Sequence, residues 1–270
     1  MISIKSEREI ELLRIAGKIV GDTHNYIKQY IKPGITTMEL DQLAESYIRK
    51  QGATPSFKGL YGFPNACCIS VNEEVVHGIP SNRKLKEGDI VSIDIGACYK
   101  GYHGDSAWSY PVGKVSPEKE ELLKHTEEAL YEGLSAIHDG ARVGDIGYMV
   151  SKCADKYHLG VVKELVGHGV GSEVHEMPDV PNYGKQNAGP ILKKGMVIAV
   201  EPMLNSGTAD IYELDDEWTI VTADLKPSAH FEHTVLVTED GYEILTKRWE
   251  NGKRRCNWIR RESCWNFTKC

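Results

Sequence analysis

Along this 270-residue chain, apolar residues recur at helical spacing in some stretches and in short continuous or alternating runs in others. Ser6-Glu-Arg-Glu9 has the form of a capping box, in which the first and last side chains each satisfy an orphan backbone donor. Behind it Ile10, Leu13, Gly17, Val20 and Ile27 fall on one face, which predicts an amphipathic helix. Thr36-Thr-Met-Glu39 opens a second helix, with Leu40, Leu43, Ala44, Tyr47 and Ile48 along its apolar side. Ser116-Pro117 starts a third, carrying Leu122, Leu123, Ala129, Leu130, Leu134 and Ile137. A fourth carries Ile146, Met149, Val150, Cys153, Ala154 and Tyr157. These stripes face the core and hold no chemistry. The strand candidates are Cys67 to Val71, Asp89 to Gly96, Tyr102 to Val112, Met196 to Val200, Trp218 to Thr222 and His230 to Val237. Cys98-Tyr-Lys-Gly101 reads as a hairpin turn, and Gly62 to Pro64 as a loop.

The pattern occurs twice. Leu85-Lys-Glu-Gly-Asp-Ile-Val-Ser-Ile-Asp94 matches Leu192-Lys-Lys-Gly-Met-Val-Ile-Ala-Val-Glu201, which lies 107 residues further on. Pro33-Gly34 before the second helix matches Asp139-Gly140 before the fourth, and Leu40, Leu43 and Ala44 fall on Ile146, Met149 and Val150. Each half runs helix, helix, then strands ending in an acidic residue. This predicts one α+β domain over residues 1–247, with pseudo-two-fold halves of about 1–113 and 114–247 and a site at their junction. Residues 248–270 stand apart as an atypical basic extension containing Cys256, Cys264 and Cys270.

Composition narrows the function. A net charge of −7 argues against a general binder of DNA or of membrane surfaces. No apolar stretch approaches the roughly 20 residues that span a bilayer. The first ten residues are charged and lack the apolar core of a secretory signal. Seven cysteines form an odd set without framework spacing, the mark of reduced thiols in a cytoplasmic protein.

The repeat sets one acid in each half, Asp94 and Glu201, and each half adds a second, Asp105 and Glu232. With a turn near Lys100-Gly101, Asp105 falls opposite Gly96, which shares a sheet face with Asp94. Four converging carboxylates repel one another in a poorly solvated site and call for protons or cations. Two divalent cations balance their charge, and His168 in Gly167-His-Gly169 is the natural neutral fifth ligand. An oxygen-rich set with one imidazole suits manganese, iron or cobalt, with zinc or nickel as further options. A water between two such ions is ionised at neutral pH and becomes a hydrolytic nucleophile.

The run Asp94-Ile-Gly with Gly104-Asp105, then Gly167-His168-Gly-Val-Gly, Glu201-Pro202 and Glu232-His233-Thr, resembles the methionine aminopeptidases of the pita-bread fold, in their short bacterial type I form. The resemblance covers residues 3 to 247. It implies an α+β pita-bread domain, with a mostly antiparallel curved sheet flanked by helices, that hydrolyses the initiator methionine from nascent proteins when the second residue is small. It implies that Asp94 binds one metal, that His168 and Glu201 bind the other, and that Asp105 and Glu232 bridge them. Glu201 would also shuttle the proton of a bridging hydroxide, His175 would stabilise the developing oxyanion, and His77 would contact the peptide. By the same match Phe63, Cys68 and Trp218 line the methionine pocket, with Phe57 and Leu60 at its edge. Leu60 and Val174 stand where relatives often carry aromatics. The implied partners are the N-termini of nascent chains, and the basic extension raises the ribosome near its exit tunnel as another. A self-contained repeat makes a monomer the default. Two rivals share the fold: an Xaa-Pro aminopeptidase or prolidase, and a non-enzymatic binding module.

Overall fold

The computed structural model describes residues 2–248. Four helices form where the caps place them. α1 (Glu7–Lys28) and α2 (Thr37–Lys50) each open on a complete capping box, Ser6 with Glu9 and Thr36 with Glu39. α3 (Pro117–Ser135) follows the N-cap Ser116 with proline at its first position, where a missing N–H costs nothing. α4 (Val143–Lys156) completes the set. Leu13, Ile27, Leu40, Ile48, Leu122, Leu130, Val150 and Ala154 are fully or almost fully buried, so the predicted stripes are the core faces.

The strands pair antiparallel. The first half is built on a hairpin, Ile90–Tyr99 with Tyr102–Pro111, in which Gly96 lies opposite Asp105 and Tyr99 opposite Tyr102. Its turn passes through Lys100 (φ 50°) and Gly101 (φ 82°), the two left-handed residues a tight hairpin needs. Cys67–Val71 pairs with the far side of Ile90–Tyr99. The second half centres on Val197–Val200, between His233–Val237 and Gly167–Gly169, in a five-stranded sheet completed by Tyr242–Ile244 and Glu176–Val180. A single apolar cluster runs through both halves, from Ile93, Ile95 and Trp108 to Ile198, Phe231 and Val235.

The internal repeat is visible in the backbone. Gly34 N–H donates to Leu85 O and Leu85 N–H returns to Ile35 O. Gly140 N–H donates to Leu192 O and Leu192 N–H returns to Ala141 O, the same ladder 106–107 residues on. Both ends of α4 follow those of α2 by 106 residues.

Three sequence expectations are corrected. Asp94 does not end its strand but sits in the middle of Ile90–Tyr99, which continues into the hairpin. Its counterpart strand does stop, because Pro202 after Glu201 has no N–H to continue a ladder. The run from His230 to Val237 is two strands, Ser228–His230 and His233–Val237. Between them Glu232 N–H donates to Ala107 O at 2.9 Å, which draws the chain across to the other half. The strand predicted from Trp218 begins instead at Ile220, because the Asp216 carboxylate captures the N–H groups of Trp218 and Thr219.

The crossing at Glu232 is stitched on both sides. Ser106 Oγ donates to Glu232 O at 2.6 Å, and Asp105 N–H donates to Thr234 Oγ1 at 3.1 Å. The halves are therefore joined at the carboxylates themselves. Of the 248–270 extension only Arg248 is described; its guanidinium lies 3.3 Å from the Trp108 ring centroid. The remaining extension lies outside the described residues.

Candidate active site

Asp94 and Asp105 point at one place because the hairpin register sets them two residues apart on one face, with Asp105 opposite Gly96. Their carboxyl groups act on each other's ionisation. Gly96 cannot carry a side chain here, since a β-carbon would lie 2.7 Å from Ser56 Cβ and 2.8 Å from Phe57 Cε1. Glycines also frame His168. A β-carbon on Gly167 would sit 2.4 Å from Ala199 O, and one on Gly169 equally close to Met177 O. The close backbone approach expected of the Gly-His-Gly run is present on both sides of the histidine.

The imidazole of His168 is oriented by its own neighbour. Nδ1 lies 2.9 Å from Gly169 O, and a carbonyl can only accept, so the ring proton is on Nδ1. Nε2 then presents a lone pair to Glu201 Oε1 at 3.4 Å and to Asp105 Oδ2 at 3.9 Å. One ligand atom each from Asp105, His168 and Glu232 lies within 4.8 Å of the others.

Burial works against charge throughout. It pushes Asp94 up to about 7. Asp105 and Glu232 are held well above the carboxylate range by burial first and by their acidic neighbours next, and Glu201 by burial and then Asp94. His168 is lowered to about 4 by burial and then by His175, which keeps it neutral and able to ligate. Asp94 Oδ1, Asp105 Oδ1 and Glu232 Oε1 are buried without a hydrogen-bond partner. Acceptors facing acceptors are unfavourable unless cations lie between them. This donor set fits hard or borderline divalent cations.

Two further histidines stand nearby. His175 packs edge-on to His168, with ring centroids 4.4 Å apart, and stacks with Tyr61 at 6.0 Å. His77 has a left-handed backbone, φ 58°, next to a glycine clamped on the strand below. Gly78 O accepts from Ile69 N–H at 2.8 Å, and Gly78 N–H donates to Ser70 Oγ at 3.1 Å.

Beside the carboxylates lies an apolar cluster of Phe57, Phe63, Cys68 and Val174, with Leu60, Ile79 and Trp218 packed against it. Trp218 meets Phe63 edge to face at 5.1 Å. Cys68 is the cross-strand partner of Asp94, so cluster and carboxylates share one sheet face. Burial and then the Asp94 charge push the Cys68 thiol up, so it packs in the cluster and is no nucleophile.

The model of metallopeptidase family M24 matches residues 11–239 of the chain. Methionine aminopeptidase 1 of Bacillus subtilis is 54% identical over 92% of this chain and 100% of its own length. The chain belongs to metallopeptidase family M24, among its methionine aminopeptidases.

Solved M24 structures share the fold. The crystal structure of methionine aminopeptidase from Rickettsia prowazekii superposes with a TM-score of 0.90 at 40% identity, covering 92% of this chain and all of that one. The prolidase of Pyrococcus furiosus gives 0.75 at 26% identity, covering 92% of this chain and 66% of the prolidase. The α+β pita-bread fold expected from the sequence is thus the fold of this M24 chain, and the family makes it a metal-dependent hydrolase. Among the described residues no helix is long and apolar enough to cross a membrane.

Against the M24 fold the predicted residues can be placed one by one. Asp105, His168 and Glu232 form the tight group, with Asp94 beside Asp105 on the hairpin face and Glu201 against His168. His77 and His175 stand outside that tight group. Phe57, expected at the pocket edge, is fully inside the cluster, whereas Trp218 is only partly buried. Sequence reasoning missed Ile79, Tyr61 and His230. His230 Nε2 lies 3.7 Å from Glu201 Oε2. No periodicity pointed to them: the break between Ser228–His230 and His233–Val237 separates His230 from Glu232, and Ile79 lies beyond the strand Glu74–Val76.

Proposed function

We propose that this M24 chain removes the N-terminal methionine from peptides and nascent proteins whose second residue is small. The observation that carries this reading is the Cys68–Asp94 pair, which puts an apolar, sulfur-containing cluster in register with the acidic one. Aromatic rings, aliphatic side chains and a thiol suit a flexible thioether. Asp94, Asp105, His168, Glu201 and Glu232 would hold two divalent ions, with manganese, iron or cobalt favoured by the oxygen-rich set. When bound, such ions supply Lewis acidity at the scissile carbonyl and at the attacking water.

The chain's own groups do the rest. Phe63 and Trp218 grip the methionine side chain and so fix the scissile bond over the carboxylates. Glu201 accepts the proton of the attacking water and passes it to the departing amine. His175 donates to the carbonyl oxygen as negative charge develops there, and His77 holds the peptide beside the scissile bond. We place the enzyme in the cytoplasm, as a monomer acting on nascent chains near the ribosome. Buried, unbridged Cys67, Cys68 and Cys153 suit a reducing compartment.

A peptide panel tests the reading. Purified, metal-supplemented protein is expected to release methionine from Met-Ala-Ser and to leave Xaa-Pro peptides intact. Turnover of Xaa-Pro peptides with Met-Ala-Ser untouched would make it a prolidase-like enzyme instead.

A further inference from the structure

The two carboxylate oxygens of Glu201 face different imidazoles. His168 Nε2 lies 3.4 Å from Oε1, and His230 Nε2 lies 3.7 Å from Oε2. The rings are not equivalent. The proton of His168 is committed to Gly169 O through Nδ1, so its Nε2 offers only a lone pair. His230 is 2% exposed, and its Nε2 has no hydrogen-bond partner. A buried polar atom left unpaired costs about 1–3 kcal/mol, so an orphan aimed at a carboxylate calls for a purpose.

Both partners are held in place from the backbone. His230 pairs with Met203, and the Ser109 hydroxyl accepts its N–H and donates to its carbonyl, each at 2.9 Å. The Ser92 hydroxyl lies 2.7 Å from Ser109 Oγ on the neighbouring strand, so a serine rail from the first half fixes this histidine of the second. Across the gap, Asn182 Nδ2 donates to Glu201 O at 3.1 Å. Two pinned backbones leave little freedom beyond side-chain torsions, and a small one closes 3.7 Å to hydrogen-bond length.

Resting on the active-site reading above, we propose that His230 is a positioning residue for Glu201. Its Nε2–H occupies Oε2 and leaves Oε1, the oxygen beside His168, as the one that faces the metal. Charge-assisted hydrogen bonds of this kind orient ligating carboxylates, and their loss typically weakens metal affinity about 10–100-fold. Without His230 the Glu201 carboxylate can rotate, so its ligating oxygen and its proton-carrying oxygen are no longer distinguished.

The test reads the proton and the metal separately from turnover. Long-range ¹H–¹⁵N correlation on zinc-loaded, ¹⁵N-histidine-labelled protein is expected to show His230 protonated on Nε2. Calorimetric titration should show manganese or zinc binding weakened at least 10-fold in His230→Leu, with kcat lowered more than KM changes. His230→Gln keeps a donor in reach and should recover most of both. A proton on Nδ1, or a His230→Gln variant as impaired as His230→Leu, overturns the role. So does unchanged metal affinity in His230→Leu. If the wild-type protein itself binds no metal, the active-site reading fails first, and that outcome is distinct from all of these.

Discussion

Gly17 and Gly104 meet backbone to backbone. A β-carbon built on Gly104 would lie 2.6 Å from Gly17 N and 2.7 Å from its Cα, so helix α1 rests directly on the strand that carries Asp105. Backbone atoms cannot move aside as a flexible side chain can. Gly104→Ala is therefore expected to destabilise the fold by about 1–3 kcal/mol, the usual cost of overpacking. Denaturant titration measures this. An unchanged midpoint would mean that the helix does not seat the strand.

Removing a ligand should have opposite effects with and without metal. Burial and neighbouring acids hold Asp105 well above the carboxylate range. A carboxyl raised in the folded state favours folding while protonated, and that contribution is lost as pH climbs through the raised value. In chelator at pH 8, Asp105→Asn should melt a few degrees above wild type, since it removes one repelling charge. With manganese or cobalt present the order should reverse, because only the wild type gains binding energy from the metal. Differential scanning calorimetry under both conditions decides it.

Acid should weaken the fold through buried histidines, His24 among them. Its ring is held between Tyr110 Oη and Ser106 O, and burial, then the Arg248 charge, lower it to about 3. The unfolded side chain titrates near 6.5, so between these values the unfolded chain binds more protons. Stability is therefore full above pH of about 6.5 and falls as pH drops toward 3, by about 1.4 kcal/mol per pH unit for one such histidine within the window. His24→Gln should melt lower at pH 7.5 yet lose less on acidification. An unchanged slope of melting temperature against pH would contradict this.

Pocket substitutions should separate binding from metal chemistry. Trp218→Ala deletes the edge-to-face partner of Phe63, a contact worth about 0.5–1.5 kcal/mol beyond its buried area. The expected result is a roughly 3–10-fold lower kcat/KM for Met-Ala-Ser, carried mainly by KM, with metal affinity unchanged. A fall in metal affinity would place Trp218 in the metal site instead.

The helices were readable because their caps and stripes are local: Ser6 with Glu9 and Thr36 with Glu39 close within one turn. The hairpin register followed from Lys100-Gly101, and with it the convergence of Asp94 and Asp105. The break at Phe231–Glu232 was not readable, because its cause is a hydrogen bond to Ala107, far away in sequence. Nor was the sharing of Glu201 between His168 and His230, which depends on how two separate strands are set against its carboxylate. Val174 and Ile79 join the apolar cluster only through tertiary packing, which no periodicity encodes.

The most direct test of the central claim is methionine release from Met-Ala-Ser by chelator-stripped protein, titrated with manganese, iron or cobalt under reducing conditions. Wild-type protein should be silent until metal is added and active as the site fills, while folded Asp105→Asn stays silent at every metal concentration. Turnover without metal, or full activity in Asp105→Asn, would contradict the account.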